Sequence, residues 1–351
     1  MTVSKKQDLR ARLAAMPKVE LHRHLEGSLR LATLLEVGRA NGVDVPLADA
    51  EALRPLVQVT YTGGDLSQFL SKFPILRKFY QSPEVIARFT REAVADAAAE
   101  NIRYMELRFN PVALASTRGY TLTEVCDWVS TAAQAAAREH KMQVELIITV
   151  NRMEPQRRQE MLQVALDFSG RGVVAMDLAG DEVNFPPDPY VPLFQEARAA
   201  GLQITAHAGE GTSAESVRSA IELLGAQRIG HGARVVDDVN VMALARERGV
   251  AFEVCLTSNI QTSVAASIKD HPVRQMIKHG LAVSLNTDDP GVQNTSLTDD
   301  FVNAHQDLGM DIPALERVVL RGAEHAFISV ARRAQLVADL QNEFDLLSGS
   351  R

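Results

Sequence analysis

The chain has 351 residues, 46% of them hydrophobic and 23% charged, which allows a large buried core and argues against wholesale disorder. Lys and Arg number 37 against 44 Asp and Glu, a formal charge of -7 that makes a poor nucleic-acid backbone binder. Cys126 and Cys255 are too few for a disulfide framework, no apolar run is long enough to span a bilayer, and the opening residues lack an apolar stretch of signal-peptide length, so a cytoplasmic protein without a membrane partner is expected.

In chain order, residues 5–16 read as a short helix stopped by Pro17, followed by a candidate strand at 19–25, VELHRHL. Further strands are expected at 104–109, 144–150, 173–179, 202–208, 228–232, 250–255 and 281–286. Most are dense in Val, Ile and Leu rather than alternating, as in parallel strands buried on both faces. RIGHG at 228–232 is the exception, too polar and short to be assigned on propensity. Helices are expected between the strands. The one at 121–140 opens with a capping-box pair, Thr121 and Glu124, the one at 155–168 opens with a proline, and those at 191–201, 213–225, 239–249 and 272–280 each stop at a glycine. The C-terminal residues 310–346 also read as helical.

Eight strands alternating with helices favour an α/β fold of the closed (β/α)8 TIM-barrel kind over an open doubly wound sheet. The segment after the first strand, residues 30–103, exceeds one crossover, includes helical patterns at 65–79 and 82–100, and carries no linker-like run. It is expected to form a helical cap over the barrel mouth within a single domain spanning 1–351.

Four of the nine histidines fall at the C-terminal ends of expected strands. His22 and His24 are two apart and share a face, His207 ends the fifth strand, His231 ends the sixth, and Asp288 and Asp289 follow the eighth. In a closed barrel these positions converge. Three imidazoles and a carboxylate, His22, His24, His207 and Asp288, suit a borderline divalent ion such as zinc, with Asp289 for Asp288 or His231 for His207 as alternative choices. Glu210, in HAGEG, would be presented by a tight glycine turn or sit in the first turn of a helix, and His231 would accept a proton from an activated water. Asp177 and Glu253, inside strands, are candidates for accepting imidazole N–H bonds or for plain inter-strand contacts. Cys255 at a strand end leaves a thiol-nucleophile reading open, while nucleotide-binding glycine loops, H-E-x-x-H and G-x-S-x-G are absent.

VELHRHLEGS (19–28), LSQFLSKF (66–73), YMELRFNP (104–111), MDLAGDE (176–182), TAHAGE (205–210), RIGHG (228–232), EVCLTSN (253–259) and SLNTDDPG (284–291) occur in that order. From about residue 17 to about 330 the chain resembles the adenosine deaminase family of the metal-dependent amidohydrolases. The resemblance implies one Zn²⁺ per subunit on His22, His24, His207 and Asp288, and a purine nucleoside as substrate. It implies that Glu210 delivers a proton to purine N1 and that His231 orients or deprotonates the water. Asp289 would position the attacking oxygen and meet N7, and the Gly180 N–H would meet N3. Leu66, Phe69, Leu70 and Phe73 would be an apolar lid, and their i, i+3, i+4, i+7 spacing makes one helical face.

One residue departs from the animal members of that family, which carry Asp where this chain has Glu26 in H-L-E-G. The extra methylene unsettles a contact to the ribose 5′-hydroxyl. Adenosine and 2′-deoxyadenosine are the expected substrates, with aminodeoxyfutalosine or free adenine as the alternative. A non-catalytic, secreted-factor-like relative would need a signal peptide and would not need the full ligand set. Protein partners and oligomeric state are not readable.

Overall fold

The computed structural model describes residues 3–61 and 63–349. Eight parallel strands hydrogen-bond in sequence order: β1 Lys18–His24, β2 Ile102–Phe109, β3 Gln143–Asn151, β4 Val173–Ala179, β5 Gln203–Ala208, β6 Arg228–His231, β7 Ala251–Val254 and β8 Ala282–Leu285. Just past β8 the ring closes onto β1: His24 N–H donates to the Asp288 carbonyl (2.8 Å) and Asp288 N–H to the His22 carbonyl (2.9 Å). This is a (β/α)8 barrel, and the strands are buried along nearly their whole lengths, which is why they read as apolar runs.

The polar strand RIGHG has a physical reason. The Arg228 side chain is fully buried in the barrel interior, where it pairs with Glu106 from β2 and Glu253 from β7. The sequence is polar because this layer of the core is built from matched charges rather than hydrocarbon.

Around the strands run the helices. The first six are α1 Val3–Ala15, α2 Leu31–Asn41, α3 Ala50–Val57, α4 Leu66–Leu70, α5 Phe73–Arg77 and α6 Pro83–Ala99. The helix expected over 65–79 is therefore two short ones, so Leu66, Phe69 and Leu70 lie on α4 while Phe73 opens α5. Pro74 explains the break, since it has no N–H to continue the α4 ladder and is tolerated in the first turn of a new helix. α6 is capped by Ser82, whose hydroxyl accepts the Val85 N–H (3.3 Å), and packs on β2 and on the helix Leu122–Glu139, so this part of residues 30–103 serves as the crossover of the barrel itself.

Leu122–Glu139 starts with the capping box read from the sequence, Thr121 and Glu124 bonding reciprocally. The expected helix at 155–168 begins as one 3₁₀ turn, Pro155–Arg157, before Arg158–Asp167, and the C-terminal stretch divides into Ile312–Glu324 and Val330–Gly349. Ile312–Glu324 packs on β8 and β1 and completes the outer ring. Among the described residues no helix is long and apolar enough to cross a membrane.

Candidate functional site

A cavity of about 300 Å³ opens at the C-terminal end of the strands. It is lined by His24 of β1, His207 of β5 and Asp288 after β8, which with the buried His22 of β1 form a cluster whose candidate ligand atoms all lie within 4.8 Å of one another. The hydrogen bonds around this cluster fix its lone pairs. His22 Nδ1 faces Glu253 Oε2 (2.8 Å) and His207 Nδ1 faces Asp177 Oδ1 (3.1 Å), so each ring donates outward to a carboxylate. That leaves His22 Nε2 as an acceptor 3.2 Å from Asp288 Oδ1, and His207 Nε2 as an acceptor 3.2 Å from His24 Nε2. His22 Nε2 is buried with no hydrogen-bond partner. Ligand atoms gathered this closely can hold a cation between them, and three imidazoles with one carboxylate suit a divalent transition ion.

Asp177 and Glu253 are thus the orienting acceptors for two of the imidazoles. Both are fully buried, and burial alone would raise their carboxyls. His207 and Arg108 hold Asp177 well below the usual range, and Arg108 and Arg228 do the same for Glu253. Arg108 bridges the two, 3.3 Å from Asp177 Oδ2 and 2.7 Å from Glu253 Oε2. Ser258 Oγ (2.8 Å) and Gln293 Nε2 (3.3 Å) donate to the other oxygen of Asp288. Asp288 and His231 both sit at positive φ, +77° and +61°, a conformation side-chain-bearing residues adopt rarely and that is concentrated at working sites.

Above the cluster, Glu210 turns its carboxyl into the cavity, 3.5 Å from His231 Nε2 and 3.4 Å from Thr262 Oγ1. Burial, seconded by the Asp288 charge, pushes it up to about 8, so it carries a proton at neutral pH. The turn that presents it needs Gly209, which has φ +65° and would drive a Cβ to 2.7 Å from Val217. Asp289 also faces the cavity. Its Oδ1 is buried without a partner, and burial beside Asp288 raises it well above the ordinary carboxyl value. It presses on Gly27, where any Cβ would collide with it.

The tautomer of His231 follows from a chain of contacts behind it. The Val273 N–H donates to His271 Nδ1 (3.1 Å), so His271 carries its proton on Nε2 and gives it to Asn259 Oδ1 (3.0 Å). Asn259 Nδ2 therefore donates to His231 Nδ1 (3.1 Å), and the His231 proton lies on Nε2, toward the cavity. Burial holds His231 well below its usual pKa, so the ring is neutral. Of the two roles read from the sequence, orienting a water suits this form and taking its proton at Nε2 does not.

Leu66, Phe69, Leu70 and Phe73 also line the cavity, with the Phe69 and Phe73 rings 5.8 Å apart, as does Gly180 in the turn after β4. Glu26 also faces in, from the turn after β1. Its Oε1 accepts the Asn110 N–H (2.7 Å), its Oε2 has no partner, and burial pushes it up to about 7. At the mouth, Arg77 of α5 pairs with Glu154 after β3 (3.1 Å). Cys255 is buried outside the cavity with its thiol pushed well up, which removes the nucleophile reading.

Sequence reasoning missed Arg108, the Asn259–His271 pair and Glu182. Arg108, Asn259 and Glu182 lie in motifs already quoted, but their work is to hold other groups in place. Glu182 had a readable signal: an acidic pair, Asp181–Glu182, just past the end of a barrel strand, where ligand-facing and loop-bracing residues collect.

A family profile described as adenosine deaminase matches residues 17–343. A protein from Klebsiella pneumoniae (strain 342) named adenosine deaminase is 37% identical over 324 residues, covering 92% of this chain and 97% of that protein. The crystal structure of an adenine deaminase from Arthrobacter aurescens superposes with a TM-score of 0.87 at 28% identity, covering 94% of this chain and 99% of that one. An amidohydrolase from Burkholderia ambifaria with bound zinc gives the same TM-score at 26% identity, covering 100% and 95%.

Proposed function

Because the chain belongs to the adenosine deaminase family of metal-dependent amidohydrolases, and so is a hydrolytic deaminase of a 6-aminopurine or its nucleoside, we propose that it replaces the C6 amino group by oxygen with Glu210 as the general acid. The observation that carries this is the Glu210 carboxyl, buried and opening into the cavity beside the His and Asp cluster, with burial pushing it up to about 8. His22, His24, His207 and Asp288 would hold a divalent ion, their donor set suiting zinc, and that ion would supply the Lewis acidity that makes a water reactive at neutral pH.

The chain's own residues do the rest. Attack at C6 drives electrons into the ring and onto N1, where the Glu210 proton neutralises the charge as it forms; the C6–N bond then breaks, the amino group leaving as ammonia with the hydroxyl proton of the attacking oxygen, and the water's other proton restores Glu210. The neutral His231 directs its Nε2–H at the attacking oxygen and holds its lone pair toward C6. Asp289, protonated because it is buried beside Asp288, donates to N7, and the Gly180 N–H donates to N3. Leu66, Phe69, Leu70 and Phe73 exclude water from the far side of the base, which strengthens each of these bonds.

The group on N9 divides the substrates. Adenosine and 2′-deoxyadenosine were the expectation from the sequence, and the curated relatives named adenosine deaminases keep them in view. The alternative, free adenine or another 6-aminopurine nucleoside such as aminodeoxyfutalosine, is the better supported. A solved adenine deaminase has the same architecture over nearly the whole chain. The test is ammonia release from adenine, adenosine, 2′-deoxyadenosine and aminodeoxyfutalosine under identical conditions. Turnover of at least one supports the 6-aminopurine assignment, and the highest kcat/KM selects the N9 group. Turnover of none contradicts it.

A further inference from the structure

The loop after β4 and the loop after β5 meet at one side chain. Glu182 is buried, and its carboxylate accepts four hydrogen bonds from a single turn of the neighbouring loop. Oε1 takes the Gly209 N–H (2.7 Å) and the Thr212 hydroxyl (2.7 Å), and Oε2 takes the Glu210 N–H (3.1 Å) and the Gly211 N–H (2.9 Å). The neighbouring Asp181 does something different, accepting the Val183 and Asn184 N–H groups (3.0 Å each) to fold its own loop. Two residues before Glu182 lies Gly180, and Glu210 lies inside the turn that Glu182 grips. One carboxylate therefore joins the backbone that meets one edge of the ligand to the backbone that carries the acid for the other.

We propose that Glu182 is a positioning residue for the reaction, setting the place of the Glu210 carboxyl relative to a purine held at Gly180. The inference rests on the reading of Glu210 as the acid. Three of the four donors are backbone N–H groups that cannot reverse their polarity, and they are divided between both oxygens of Glu182. A carboxylate satisfies all three. A glutamine of the same shape must turn its NH₂ toward at least one of them, so isosteric replacement breaks the clamp rather than preserving it. The acid then moves relative to N1, and a displacement of about 1 Å in a reacting group costs on the order of 10²-fold in rate.

The test is a cycle of Glu182→Gln, Glu210→Gln and the double variant, read as kcat and KM for the substrate chosen by the panel, with bound metal counted for each protein. Glu182→Gln is expected to lower kcat roughly 10²-fold, with a smaller change in KM and unchanged metal content. In the Glu210→Gln background the same substitution is expected to change kcat by no more than about twofold, because the group it positions is already gone. Glu182→Asp, which keeps the charge and shortens the reach, is expected to fall between wild type and Glu182→Gln. If Glu182→Gln does not fold, the cycle is run with Glu182→Asp, and the same loss of effect in the Glu210→Gln background is expected. An inactive Glu210→Gln beside an Glu182 variant that keeps its kcat, or an equal loss in both backgrounds, overturns the positioning role alone. A Glu210→Gln enzyme that keeps more than about a tenth of its kcat overturns the acid assignment, and this inference with it.

Discussion

Below the cavity, Glu106, Arg228 and Glu253 fill the barrel with matched charge. Arg228 donates to both carboxylates and to the His325 carbonyl, and Glu106 also accepts the Tyr104 hydroxyl and the Phe327 N–H, each at 2.7 Å. One layer higher the rule reverses. His22 Nε2, Asp289 Oδ1 and Glu26 Oε2 are as deeply buried, yet have no partner. Burying a polar atom unpaired costs stability, so the lower layer holds the barrel together while the upper one stores unsatisfied valence for a metal and a ligand. Glu253 belongs to both, taking Arg228 from below and His22 at its upper side, and so ties ligand geometry to the core.

The largest effect that sharpens this contrast is removal of the metal. Chelation is expected to bring kcat below about a hundredth of the starting value and to lower the melting temperature, since an ion that binds only the folded chain stabilises it. Zinc returned at about one equivalent should restore both. Full activity in metal-free protein would break the reading of the upper layer.

A paired substitution separates the two layers. Glu106→Leu, which strips Arg228 of one of its carboxylates, should destabilise the fold by about 3–5 kcal/mol in denaturant titrations. Asp289→Asn replaces a buried, protonated carboxyl whose Oδ1 has no partner, and is expected to leave the melting temperature unchanged or raised while lowering kcat at least tenfold, roughly. The opposite pattern, a stable Glu106→Leu and an unstable but active Asp289→Asn, would erase the distinction.

The smallest effect concerns the cap. Phe69→Ala removes apolar contact worth ~1–3 kcal/mol and should raise KM by about that amount with the metal retained. An unchanged KM with a lower melting temperature would assign Phe69 to packing alone.

The upper layer was the legible part of this sequence. Its ligands are short motifs at strand ends, and the barrel's regular alternation says where strand ends converge. His24, His207, Asp288, Glu210 and Asp289 are found from that logic and meet in one cavity, with His22 buried against them. The lower layer was not legible, because RIGHG looks too polar and short for a strand until Arg228 and Glu106 are seen facing each other across the barrel. The break between Leu70 and Phe73 was missed because side-chain periodicity continues through it while the backbone ladder does not. Glu182, Asn259 and His271 act on neighbours distant in sequence, and spacing carries no record of such contacts. Glu26 against Asn110 and Arg77 against Glu154, all lining the cavity, are likewise pairs joined only by folding.

The central claim is that a protonated Glu210, made so by burial beside the cluster, supplies the proton that deamination needs. The most direct test is the pH dependence of kcat/KM for the wild-type and Glu210→Gln enzymes on the best substrate. The raised carboxyl is active in its acid form, so wild-type activity should hold at neutral pH and fall with a one-proton slope as pH rises through about 8. Glu210→Gln should lose roughly 10²–10⁴ in kcat and lose that limb. A variant that keeps more than about a tenth of wild-type kcat, with the limb still in place, would contradict the account.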